Sequence, residues 1–109
     1  MQLSESAYTA AASSELRLLV DALDSIGEEV DVELSNDILT LEFANRDRCV
    51  VNSHRAARQI WMAANRSAWH FDCGADGQWR ATKTGEELWA VLGQLLHEKL
   101  GRPVPLKRA

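Results

Sequence analysis

Apolar residues in the first quarter of the chain recur every three or four positions, at Tyr8, Ala12, Leu16, Leu19, Val20, Leu23 and Ile26. That spacing follows the turn of an α-helix and predicts an amphipathic one. Ser4 is placed to cap its first turn, and Gly27 to end it in a left-handed conformation. The core stripe is expected to run through Leu16, Leu19, Leu23 and Ile26, with Asp21 far from it and Asp24 on its flank, both facing water.

Beyond Gly27 the period drops to two. Val30, Val32 and Leu34 alternate with Asp31 and Glu33, the mark of a half-buried strand. Ser35, Asn36 and Asp37 make a turn, and Leu39, Leu41 and Phe43 then alternate with Thr40 and Glu42 in a second strand. After Asn45, Arg46 and Asp47, Cys49 and Val51 share one face of a third strand, with Val50 and Asn52 on the other. A fourth strand over residues 59–64 buries Ile60 and Met62 and exposes Gln59 and Trp61. A fifth sets Trp69 and Phe71 against His70 and Asp72, and residues 78–81 form a short edge strand. The last element is a helix with the stripe Leu88, Val91, Leu92, Leu95 and Leu96, stopped by Gly101 and Pro103. Thr84-Gly85-Glu86-Glu87 reads as the capping box at its start. The tail, residues 102–109, is expected to pack as extended chain or to fray.

Helix, five or six consecutive strands, helix: this order predicts an α+β fold, an α/β sandwich with an antiparallel meander and both terminal helices on one sheet face. The opposite face is left to solvent, carrying Asn52, Gln59, Trp61 and His70. The chain has 109 residues, enough for one domain with a real core. Its apolar and charged fractions, 46% and 26%, are ordinary for a globular protein.

Charge is distributed unevenly. Residues 1–45 hold ten acids against one base, and residues 46–109 hold eleven bases against six acids. An acidic first half suits cations or a basic protein surface and repels nucleic-acid phosphates. No stretch has the length of a membrane span, and the first fifteen residues lack the basic and apolar regions of a secretory signal or the arginines of a transit peptide. The expected compartment, by elimination, is the cytoplasm. Cys49 and Cys73 have no ligand-type spacing, so two reduced cysteines are expected.

The candidate metal residues are Asp21, Asp24, Glu28, Glu29, Asp31 and Glu33. Asp21 and Asp24 share a helix face, Asp31 and Glu33 share a strand face, and Glu28 and Glu29 bridge the corner. Carboxylates are ligands for hard cations and suffice for a loose, water-rich site. The same set also reads as a solvated face, or as a docking surface for a basic partner. Trp61, flanked by Asn52 and Gln59 on the uncovered sheet face, is the candidate protein contact. Trp69, Trp79 and Trp89 sit in apolar patterns and read as core or core edge. His70 ranks behind the acidic set as a ligand or contact, and His54 and His97 behind His70. No nucleophile–base pair, phosphate loop, zinc spacing or ExxH cluster is present, so no catalytic residue is assigned.

From Asp31 to Trp89 the segments DVEL, ILTLEF, VVN, QIW, WHFD and TGEELW follow one another in an order and at a spacing that resemble the frataxin family in its bacterial form. The resemblance implies a helix–strands–helix sandwich with one bare sheet face. It implies weakly bound iron, ferrous or ferric, on acidic residues of the first helix and first strand. It implies docking on the cysteine desulfurase and scaffold that build iron–sulfur clusters, in a regulatory or iron-donating role rather than an enzymatic one. A monomer is expected, with iron-dependent oligomerisation open, and neither nucleic acid nor membrane as partner. The chain departs from the family pattern at Ser53-His54-Arg55-Ala56-Ala57-Arg58, where His54 stands near the usual Gln and the usual Pro is missing. Ala22 and Ser25 also stand where carboxylates are frequent, which thins the acidic ridge. A protein–protein module without physiological iron carriage is the alternative reading, and a ferroxidase the third.

Overall fold

A computed structural model of the chain describes residues 3–104 and 106, with only the backbone at 27 and 28. Helix α1 (Glu5–Leu23) is followed by a 3₁₀ turn (Asp24–Glu29). Six strands come next: β1 (Val30–Ser35), β2 (Ile38–Phe43), β3 (Arg48–His54), β4 (Gln59–Ala64), β5 (Ser67–Cys73) and β6 (Trp79–Ala81). Helix α2 (Leu88–Leu100) closes the fold. The strands pair antiparallel in sequence order, the meander that their short connections favour. Asn36 and Asp37 both adopt positive φ, the backbone of a tight two-residue hairpin between β1 and β2.

Ser4 caps α1 as its position predicts, accepting a hydrogen bond from the Ala7 N–H at 3.2 Å. The helix does not run to Gly27. It tightens into the 3₁₀ turn at Asp24, where the Ser25 hydroxyl donates to the Ala22 carbonyl at 2.8 Å and takes an acceptor from the α-helical ladder. The capping box is also displaced. Gly85 adopts a φ of 76°, outside helical geometry, so Thr84 accepts instead from the Glu86 N–H within the preceding loop. Glu87 is the residue that caps α2, its carboxylate accepting from the N–H groups of Trp89 and Ala90. Gly101 ends α2 in the left-handed conformation, as expected. In the tail, Val104 and Leu106 pack against the core, and residues 107–109 lie outside the described residues.

Both helices bury their stripes in one core with Leu39, Leu41, Cys49, Val51, Ile60, Met62, Phe71 and Trp79 from a single face of the sheet. Trp79 and Trp89 are buried and Trp69 is half-buried at the core edge. Neither cysteine is in a disulfide, and burial pushes the Cys49 thiol up to about 12. Among the described residues no helix is long and apolar enough to cross a membrane.

Lys99 of α2 ties the helix to the β2–β3 turn through Asp47, and its ammonium lies 5.9 Å from the centroid of the Phe43 ring. The Lys99 and Asn45 hydrogen bonds hold the Asp47 carboxyl below its ordinary 3.8. A carboxyl depressed by folding stabilises the native state above its ordinary value and loses that contribution as pH falls through the folded value. Asp47→Asn is therefore expected to lower the melting temperature slightly at neutral pH and to flatten its decline below pH 3.8. Thermal melts of both proteins across that range check this; parallel curves at every pH would refute it.

Candidate functional site

The other face of the sheet carries no helix. Strand alternation sends Asp31 and Glu33, Thr40 and Glu42, Asn52 and His54, Gln59 and Trp61, and His70 and Asp72 to this side. The register aligns Ile38, Asn52, Trp61 and His70 in one row across four strands. Ile38 is 47% exposed, the one exposed large hydrophobic side chain among the described residues, and it stands in this row.

The predicted contact residues Asn52, Gln59 and Trp61 do come together here, but in an arrangement that strand alternation alone does not predict. Trp61 is half-buried rather than exposed, because an imidazole covers each face of its indole. His54 stacks on one side with ring centroids 3.7 Å apart and planes 10° from parallel. His70 stacks on the other at 4.1 Å and 9°. The indole N–H donates to Gln59 Oε1 at 2.8 Å, and the Gln59 amide in turn donates to Asp72 Oδ1 at 3.0 Å. His54 reaches the indole because β3 extends through it, two residues past Asn52. Its Nδ1 accepts from the Ala57 N–H at 3.3 Å, which leaves Nε2 as the ring's donor.

The helix layer supports this corner from behind. The Tyr8 hydroxyl of α1 donates to the Gln59 carbonyl at 2.8 Å, and Arg58 donates to the Leu3 carbonyl at 2.9 Å. Burial raises the Tyr8 phenol above its ordinary range, so it stays a donor throughout the neutral range. A hollow of about 280 Å³ lined by Trp69, His70, Thr82 and Lys83 opens beside the stack.

The acidic residues form a band around the β1 edge and not a pocket. Asp21 lies on α1 and Asp24 at its C-terminal cap, both exposed as expected. Asp31 and Glu33 leave β1 on the opposite, open face, where they line a shallow hollow of about 250 Å³ with Thr40, Glu42 and Arg48. Glu42 and Arg48 there pair at 3.0 Å. Glu29 is paired with Arg102 beyond α2, and the Glu28 side chain lies outside the described residues. Among the described residues no three His, Cys, Asp or Glu side chains converge closely enough to hold a metal ion.

Fold and face together define an α+β sandwich of one antiparallel sheet, helical on one side and open on the other, whose distinctive side chains sit on the open surface. The chain belongs to the frataxin family: the frataxin-like domain matches residues 1–102. Among its relatives is the iron–sulfur cluster assembly protein CyaY of Paraburkholderia phytofirmans, 36% identical and covering 96% of this chain and 99% of its own. The protein of the same name from Vibrio cholerae is 30% identical, covering 94% and 97%. The frataxin of Psychromonas ingrahamii has the same fold, with a TM-score of 0.89 at 22% identity over 96% of this chain and 99% of that one. A trimeric frataxin from the yeast Saccharomyces cerevisiae, complexed with ferrous iron, superposes with a TM-score of 0.74 at 28% identity, covering 84% and 87%.

Proposed function

We propose that this chain is an accessory protein of iron–sulfur cluster assembly that acts by docking its open sheet face onto the cysteine desulfurase and its scaffold. The observation that carries the reading is the row of Ile38, Asn52, Trp61 and His70 on the open face, beside the smaller apolar side chains of Val50, Ala63 and Ala68. Aromatic and aliphatic groups gathered on a sheet face that no helix covers suit a protein partner. The relatives' shared name, iron–sulfur cluster assembly protein, supplies the process. The acidic band along β1 is the part of the surface that steers toward a basic partner. The role is regulatory and not enzymatic, and the site of action is the cytoplasm.

Iron associates loosely with the acidic band in this reading. A solved yeast relative is complexed with ferrous iron, and carboxylates are suitable ligands. The spread of Asp21, Asp24, Asp31 and Glu33 over two sides of the β1 edge favours single, water-rich contacts over a cage. That spread also supports the second reading, a docking module whose iron affinity is incidental. Titration of the protein with Fe²⁺ followed by amide NMR separates the two. Shifts and broadening confined to Asp21–Glu33 are expected for loose iron binding. Shifts localised elsewhere move the iron site off the acidic band, and no shifts at all remove iron carriage and leave the docking module, which stands or falls on binding to the desulfurase.

A further inference from the structure

We propose that His54 and His70 are positioning residues that clamp Trp61, so that the three rings dock as one rigid anchor presenting their edges to the partner. The inference rests on the docking function proposed for this face and deepens it. Both faces of the indole are already covered, at 3.7 and 4.1 Å, so no partner group stacks on Trp61. Its N–H is already committed to Gln59, which is held in turn by Asp72. The accessible part of the indole is therefore its rim. Aromatic edges carry partial positive charge, and with His54 Nδ1 accepting from the Ala57 N–H, its Nε2 is the ring's outward donor. A rim of this kind fits a partner loop that offers oxygen acceptors, backbone carbonyls or carboxylates, around an apolar contact.

The advantage of the clamp is preorganisation. A side chain already fixed in its bound rotamer loses less freedom on association. Three strands contribute one ring each, so the indole is fixed by the register of the sheet and not by local sequence.

The test measures binding to the purified cysteine desulfurase for Trp61→Ala, the double variant His54→Ala with His70→Ala, and the double variant His54→Phe with His70→Phe. Alanine at both positions is expected to weaken binding about three- to tenfold, the cost of ordering a free side chain, and to lower the heteronuclear NOE of the Trp61 indole N–H. Phenylalanine at both is expected to restore the indole NOE and most of the affinity, which a general packing defect or a lost charge would not allow. If the double alanine variant binds like the parent while Trp61→Ala fails to bind, Trp61 docks without a clamp and the inference is overturned. If the alanine variant keeps the parent NOE, the imidazoles do not fix the indole and the inference is likewise overturned. If Trp61→Ala itself binds like the parent, the docking function falls and the proposed anchor falls with it.

Discussion

Trp61→Ala is expected to reduce affinity for the cysteine desulfurase about thirtyfold or more, the loss of a central aromatic hot spot of some 2 kcal/mol. The reason is geometric. Trp61 sits between Asn52 and His70 in the cross-sheet row, and it is the largest apolar group on a face that no helix covers. Its removal leaves Ile38 as the remaining large exposed hydrophobic side chain in that row. The fold should survive, because Trp61 lies outside the buried core, so circular dichroism and melting serve as controls. Isothermal titration against the desulfurase gives the reading. Parent-like affinity in a folded variant would mean that the partner meets another surface, with the acidic band the next to examine.

The second large effect concerns stability. Glu15 is 2% exposed, and its carboxylate accepts from the Trp89 indole N–H at 2.6 Å across the interface of α1 and α2. Losing a buried side-chain hydrogen bond of this kind costs about 1–3 kcal/mol. Trp89→Phe is therefore expected to destabilise the fold by about 2–3 kcal/mol, summing the lost bond and a small packing defect. Glu15→Leu should also destabilise, by about 1–3 kcal/mol, because it leaves the indole N–H buried without this acceptor. Combined, the two substitutions should cost less than their sum, by about 1 kcal/mol or more. Urea denaturation of the four proteins completes the cycle, and strict additivity would show that the pair contributes no coupling.

Trp89→Phe and Glu15→Leu also mark where sequence reasoning falls short. The elements themselves are legible: the 3.6-residue and two-residue periods locate both helices and all six strands, and Ser4 and Gly101 act as caps where they stand. The burial of Glu15 is not legible. Glu15 lies three residues after Ala12 and four before Leu19, on the buried stripe itself, but its charge disguises it as a surface residue. What identifies its environment is Trp89, 74 positions away, and no local pattern carries that information.

The open face divides in the same way. Alternation places Asn52, Gln59 and Trp61 on one side, and the structure keeps them there. The ring stack does not emerge from alternation, because His54 stands next to a loop-like run and His70 resembles any solvent-facing histidine. Register is what unites them. Once the hairpin turns are fixed, Trp61 pairs with Asn52 and His70, and the extension of β3 by two residues brings in His54. The acidic set shows the converse. Its residues stand where the spacing puts them, but membership of one stretch of sequence does not make one site, since β1 sends Asp31 and Glu33 away from the helix that bears Asp21.

The sequential order of the strands has a consequence for how the protein folds. Each strand pairs with its predecessor, so every hairpin can form from neighbouring chain with little loop-closure entropy. The long-range contacts are left to the two ends of the chain, where α1 must find α2 over the sheet. Such a division keeps the sheet's own contacts local in sequence, which favours fast folding. The Glu15–Trp89 hydrogen bond belongs to the other class of contact, joining the two ends of the chain and not neighbouring strands.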